Sequence, residues 1–334
     1  MNPISELKAV ARPWRKALLA SGMAAVLSLA APLAHAWPNG PVTMIVPSSP
    51  GSAPDVLARK LSEKLGSTLK VPVMVENRPG ANGVIGASAI ATAKPDGQTI
   101  MLYDRLVMIV NPILLDKLPY DPAALQGVAD VAGVNLVFVC GAKQPFNTWE
   151  EMIAAARAKP GELSVGTGGR GSVHHLSVAR VEQHYGVDMI DVPYKGMAPA
   201  TVALLGGEID CIVSGQETVI DHVRAGTLKV LAIGAEERSK LLPEVPTLKE
   251  LGAPADLLVP TSFVIYVPTG TPAPVMDEIH KAMSDALEDD AIVEYFASRG
   301  LSAAVSSREA VKETAERDAA GIGKLIKDAN IRLE

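Results

Sequence analysis

The chain has 334 residues, with 31 basic and 37 acidic side chains, a formal net charge of −6 and only 4% aromatic content. That balance argues against a nucleic-acid partner, because such binding rests on clustered Lys and Arg. Two cysteines without a histidine cluster make no zinc site, and neither a metal nor a cofactor is expected.

The first 36 residues read as an export leader. Lys8, Arg12, Arg15 and Lys16 precede an apolar run from Ala17 to Ala31, and Ala34-His35-Ala36 places small residues at −3 and −1 of a cut before Trp37. That run is shorter than the about 20 residues that span a bilayer. The expectation is a signal peptide over 1–36, cleaved after Ala36, and a soluble periplasmic chain. Pro13-Trp14 separates Arg12 from Arg15, so this is no twin-arginine leader and the chain would be exported unfolded. Cleavage leaves 298 residues, 27 of them basic and 36 acidic, for a charge of −9. An anionic ligand would then have to be held by local donors, without long-range attraction.

From Trp37 onward, β-branched runs alternate with helical segments. Strands are expected at Val42–Val46, Val71–Val75, Gln98–Leu102, Leu136–Cys140, Leu163–Val165, Met189–Val192, Ile209–Val213, Lys229–Ile233 and Phe263–Val267. Helices are expected at Pro54–Leu65, ending at Gly66, and at Thr148–Lys159, which opens with a Thr148-x-x-Glu151 capping box. Two more are expected at Ala273–Leu287 and Arg308–Asp328. Strands alternating with helices imply an α/β fold of mostly parallel sheets covered on both faces. In such sheets ligands bind in the loops beyond the carboxyl ends of the strands.

Three segments carry candidate chemistry. Val46–Asp55 offers Ser48, Ser49 and Ser52 before a helix start, either as a cradle for a carboxylate or phosphate or as an ordinary turn capped by Ser52. Tyr103-Asp104-Arg105 ends the third strand; Asp104 and Arg105 either pair with each other or offer Arg105 as a clamp for a second carboxylate. Leu163–Leu176 reads as strand, glycine-rich turn and helix start, with Thr167, Gly168, Gly171 and Ser172 positioned to meet an anion. It contains Gly166-x-Gly168-x-x-Gly171, a dinucleotide spacing with Asp188 and Asp191 about twenty residues on, which leaves an exported NAD-dependent oxidoreductase as an alternative. His174 and His175 are adjacent and so cannot chelate together on a helix; one should pack and the other face solvent. No Gly-x-Ser-x-Gly elbow is present, and nothing in the sequence calls for an enzyme. Cys140 and Cys211 lie in apolar strand-like runs, either bridged or buried as free thiols.

Val46-Pro47-x-x-Pro50-Gly51-x-x-x-Asp55 resembles the first-strand signature of the Bug-type receptors, the periplasmic solute-binding proteins of tripartite tricarboxylate transporters. Five further stretches resemble the family in the same order: Glu76–Gly86 with Lys94–Gly97, Leu118–Pro122, Gly168–Leu176, Val192–Ala200 with Leu205–Asp210, and Pro243–Gly252. The resemblance implies a two-lobed Venus flytrap with two crossover segments. Lobe 1 would be 37–138 plus 262–334, and lobe 2 would be 139–261. It also implies a monomeric, non-enzymatic receptor that captures a small organic carboxylate and presents it to a membrane permease or to a sensor protein. Carried over, Ser48, Ser49, Ser52 and Asp55 would line one lobe, and Thr167, Gly168, Gly171, Ser172 and Tyr194 the other. The chain departs from the family at Ser48, where an aromatic is usual, at Ser52, Ala53 and Pro54, and at Asp104-Arg105, where small polar residues are usual.

Overall fold

The computed structural model describes residues 37–115, 117–303, 306–328 and 331. The leader expected over 1–36 lies outside the described residues. The strands fall into two sheets. The first contains β1 (Val42–Val46), β2 (Val73–Asn77), β3 (Thr99–Asp104), β4 (Leu125–Val134), β10 (Thr261–Pro268) and β11 (Leu301–Ser302), in the order β11-β4-β10-β3-β1-β2. The second contains β5 (Leu136–Gly141), β6 (Ser164–Thr167), β7 (Ile190–Pro193), β8 (Cys211–Gly215) and β9 (Leu228–Gly234), in the order β7-β6-β8-β5-β9.

Each sheet has the same plan. β2, β1 and β3 run parallel, as do β7, β6 and β8, and the remaining strands add on antiparallel. A helix follows each parallel strand. In the first lobe these are α1 (Ala53–Leu69), α2 (Val84–Ala91) and α3 (Arg105–Leu114). In the second, α4 (Trp149–Ala158) precedes β6, while α5 (Val173–Tyr185), α6 (Met197–Gly206) and α7 (Gln216–Arg224) follow β6, β7 and β8. The C-terminal helices are α8 (Ala273–Leu287), α9 (Asp290–Arg299) and α10 (Arg308–Asp328).

The helices form where apolar residues repeat on one face. α1 buries Leu57, Ala58, Leu61 and Leu65 against the first sheet. It runs past Gly66 to Leu69, because Lys70 supplies the left-handed cap (φ 57°). α4 starts at the expected capping box: Thr148 Oγ1 accepts the Glu151 N–H (3.2 Å), and Glu151 Oε2 accepts the Asn147 N–H (2.6 Å). Its Trp149 packs edge-on against Phe138 and Tyr185. In the first sheet β10 lies between β3 and β4 with all eight residues buried, so both faces of the sheet are covered there.

The chain leaves the first sheet at Asn135, between β4 and β5, and returns after Gly234 to begin β10 at Thr261. Leu136, Val137 and Phe138 thus already pair within the second sheet. α9 also joins the lobes, through Arg299 Nη1 to Asp221 Oδ2 of α7 (2.5 Å). Cys140 and Cys211 face one another across β5 and β8 and are joined as a disulfide. Among the described residues no helix is long and apolar enough to cross a membrane.

Candidate functional site

A cleft of about 1050 Å³ lies between the sheets and is lined by both. Its walls are the loops that follow β1, β2 and β3 in one lobe and β6, β7 and β8 in the other. Six helices, α1, α2, α3, α5, α6 and α7, therefore begin at this cleft. The N–H groups of a helix's first turn have no intrahelical partner, and its dipole makes that end positive. Such ends make the cleft attractive to an anion at short range, most of all at α2, α5 and α6, which carry no acid in the first turn; α3 is capped by Asp104 and α7 carries Glu217.

In the first lobe, Ser48, Ser49 and Ser52 line the cleft, and Ser48 Oγ and Ser52 Oγ are hydrogen-bonded at 2.7 Å. Ser52 is the N-cap of α1, but its hydroxyl makes no cap bond and stays at the loop surface. Asp55 sits behind the loop, 2% exposed. Its carboxylate accepts the Gly51 N–H (2.8 Å), Asn77 Nδ2 (2.9 Å) and Arg59 Nε (3.1 Å). Burial alone would raise this carboxyl, but the bonds from Arg59, Gly51 and Asn77 together hold it below its ordinary range. Asp55 thus shapes the loop and does not line the cleft. Gly83, before α2, is a cleft residue with φ +82°, and a Cβ there would lie 2.4 Å from the Tyr103 ring.

Arg105 does not enter the cleft. It is 8% exposed, and its guanidinium is bound to Asp318 of α10 (2.9 Å), Asp130 of β4 (3.3 Å) and Ser262 Oγ of β10 (2.6 Å). Ser262 also donates to Asp130, as does Ser306 (2.9 Å). One residue past the strand end, the chain has already turned into α3, whose first turn directs this side chain toward α10. Asp104 instead lines the cleft, capping α3 through the Leu106 N–H (2.8 Å) and accepting Thr261 Oγ1 (2.5 Å). Burial raises its carboxyl above the usual range.

In the second lobe, Gly168, Ser172 and Tyr194 line the cleft. Ser172 caps α5 by accepting the His175 N–H (3.3 Å). Thr167 is fully buried and its hydroxyl donates to Asp191 Oδ1 (2.8 Å). The Gly171 N–H is taken by His175 Nδ1 (3.1 Å), and the His175 ring lies 3.8 Å from Asp191 Oδ2. Thr167, Gly171, His175 and Asp191 form a brace behind the loop, which leaves Asp191 engaged within the protein. Both histidines are half-buried, so the expected split into one packed and one exposed ring does not occur. His174 lines the cleft with Nδ1 unpaired, and burial pushes it down to about 4, so it is neutral at pH 7.

Several cleft residues carry no local sequence signal: Glu217 and Thr218 on α7, Thr261 and Phe263 on β10, and Tyr295 and Arg299 on α9. An acid in the first turn of a helix reads as ordinary dipole complementation, which is why Glu217 escapes notice. Burial pushes the Glu217 carboxyl up to about 7, with Asp104 raising it further and Arg299 opposing.

Two α/β lobes closing on a cleft built from helix N-termini define the class: a solute-binding protein of the Venus-flytrap kind. The chain belongs to the tripartite tricarboxylate transporter family receptors, whose family model matches residues 57–331. This is a family of solute-binding receptors and not of enzymes. BugT of Bordetella pertussis is 36% identical over 286 residues, covering 85% of this chain and 87% of BugT. The Rhodopseudomonas palustris protein Rpa4515, solved with adipate, superposes with TM-score 0.84 at 27% identity, over 89% of this chain and 99% of that one. MatC of Rhodopseudomonas palustris, solved with bound malate, gives 0.80 at 26% identity, over 87% and 100%.

Proposed function

We propose that this chain is a periplasmic receptor that captures a small organic carboxylate between its lobes and hands it to the permease of a tripartite tricarboxylate-type transporter. The observation that carries this reading is the convergence of six helix N-termini, three per lobe, on one cleft of about 1050 Å³. Solved relatives with adipate and malate support the ligand class. The carboxylate would sit between the starts of α1 and α5, near Ser48, Ser49 and Ser52 on one side and Gly168 and Ser172 on the other. Asp55 and the Thr167–Asp191–His175 brace would hold the two loops in shape.

The cut after Ala36 and a periplasmic location belong to the same proposal. The Cys140–Cys211 disulfide favours an oxidising compartment. Lobe closure would bend the chain at Asn135 and in the segment 235–260, the two places where it changes sheet.

Isothermal titration of the processed chain with a panel of small organic acids tests the reading. The expected result is saturable binding at one acid per chain, with the acid recovered unchanged. Turnover of the acid, or no binding anywhere in the panel, would overturn it.

A further inference from the structure

Resting on that reading, we infer that His174 touches the captured acid: its Nε2–H donates a hydrogen bond to a carboxylate oxygen of the acid at the start of α5.

The two nitrogens of this ring stand in different surroundings. Nδ1 is sealed from solvent, with no hydrogen-bond partner among the described residues. A Cβ on Gly168 would fall 3.0 Å from Nδ1, and 3.5 Å from both Cε1 of the same ring and Met197 Sδ. The Nδ1 edge therefore lies over that glycine and beside Met197, which fixes the direction of the ring. Nε2 is not sealed; it belongs to a half-buried ring that lines the cleft, and no described protein group bonds it. The neighbouring polar groups are spent on one another. Thr167 gives its hydroxyl to Asp191, the Gly171 N–H is taken by His175 Nδ1, and Ser172 Oγ accepts the His175 N–H. His175 serves that brace, whereas His174 takes no part in it.

The charge state follows from the same placement. His174 is the second residue of α5, where a cation would oppose the positive end of the helix dipole. Burial acts in the same direction and keeps the ring neutral at pH 7. A neutral imidazole carries one N–H, and the partner available decides which nitrogen bears it. Either tautomer leaves Nδ1 unpaired. Only the Nε2–H form offers the cleft a donor, and an ionised carboxylate, which can only accept, selects that form. The proposed carboxylate seat, at Gly168 and Ser172, is formed by the loop on which this ring rests.

The two nitrogens can be replaced separately, because a Gln amide nitrogen falls where Nε2 lies and an Asn amide where Nδ1 lies. The full processed chain and its His174→Gln, His174→Asn and His174→Ala variants are titrated calorimetrically with malate, adipate, succinate and benzoate, and their melting temperatures are compared. For each of these acids that binds the parent, His174→Gln should keep the affinity within about threefold, while His174→Asn and His174→Ala weaken it about tenfold or more. Melting temperatures should stay close to the parent's. Long-range proton–nitrogen NMR of the parent, with the His174 signals identified by their loss in any one variant, should show the acid-saturated ring neutral and protonated at Nε2. Its Nε2 resonance should move on saturation. Affinity unchanged in all three variants, or lost equally in all three, would overturn the inference and leave the receptor reading intact. A ring protonated at Nδ1, or unmoved by the acid, would do the same. Failure of all four acids to bind would overturn both readings.

Discussion

Arg105 shows how much one residue's direction decides. Its neighbour Asp104 faces the cleft, yet Arg105 is buried among Asp318, Asp130 and Ser262, tying α10 to the first sheet. Removing one partner of a buried ion pair leaves an uncompensated charge and costs about 3–5 kcal/mol. Arg105→Ala should therefore lower unfolding stability by about that amount in denaturant titration, while the affinity of any acid that binds changes less than about threefold. A large affinity loss at unchanged stability would restore Arg105 as a clamp. Glu217 and His174 act oppositely with pH. Glu217 is raised in the folded chain, so its contribution is full below the unfolded value near 4.5 and is lost as pH rises through about 7. His174 is depressed, so its contribution is full above 6.5 and is lost as pH falls toward about 4. Only the first disappears in Glu217→Gln. The melting temperature of that variant minus that of the parent should thus climb between pH 4.5 and 7 and level off above. A flat difference would contradict the burial assigned to Glu217.

At the scale of elements, most of the first lobe's strands and the whole second sheet were legible from β-branched runs: β1, β5 and β8 are buried almost throughout and so are rich in apolar residues, and the half-exposed edge strands β2 and β7 still carry valine and isoleucine. β4 was not. Leu125–Val134 is broken by Gly127 and Gly133, demanded by close packing (a Cβ at Gly127 would lie 2.6 Å from Val311 of α10), and by Asp130, demanded by its bonds to Arg105, Ser262 and Ser306. β2 begins two residues later than its valines suggest, since its register is set by pairing with β1. The two cleft loops at the starts of α1 and α5 could be read locally, as hydroxyls and glycines before a helix. What each side chain then does could not. Thr167, Gly171 and Asp55 turn their polar groups to Asp191, His175 and the Gly51–Asn77 pair, partners fixed by tertiary contacts. The disulfide belongs at this scale too, because it staples neighbouring strands β5 and β8 across a separation of 71 residues. Replacing Cys140 and Cys211 by Ser should cost about 2–5 kcal/mol in equilibrium unfolding. A reducing agent should destabilise the parent and leave the variant unmoved.

At the scale of the molecule, the collinear loop motifs from Val46 to Gly252 made the family legible, and the family carries the two-lobed fold. Asp104 was legible as a strand end facing the crevice, but Glu217, Thr261 and Arg299 on the same cleft were beyond reach, because they come from separate elements up to about eighty positions apart. The proposed function requires that a carboxylate lie between the lobes, held by helix starts from both. The crystal structure of the processed chain, grown with an acid that binds it, tests this most directly. It should show one acid per chain in the cleft, with its carboxylate accepting backbone N–H groups at the starts of α1 and α5 together. An acid held by one lobe alone, or a carboxylate directed away from both helix starts, would contradict it.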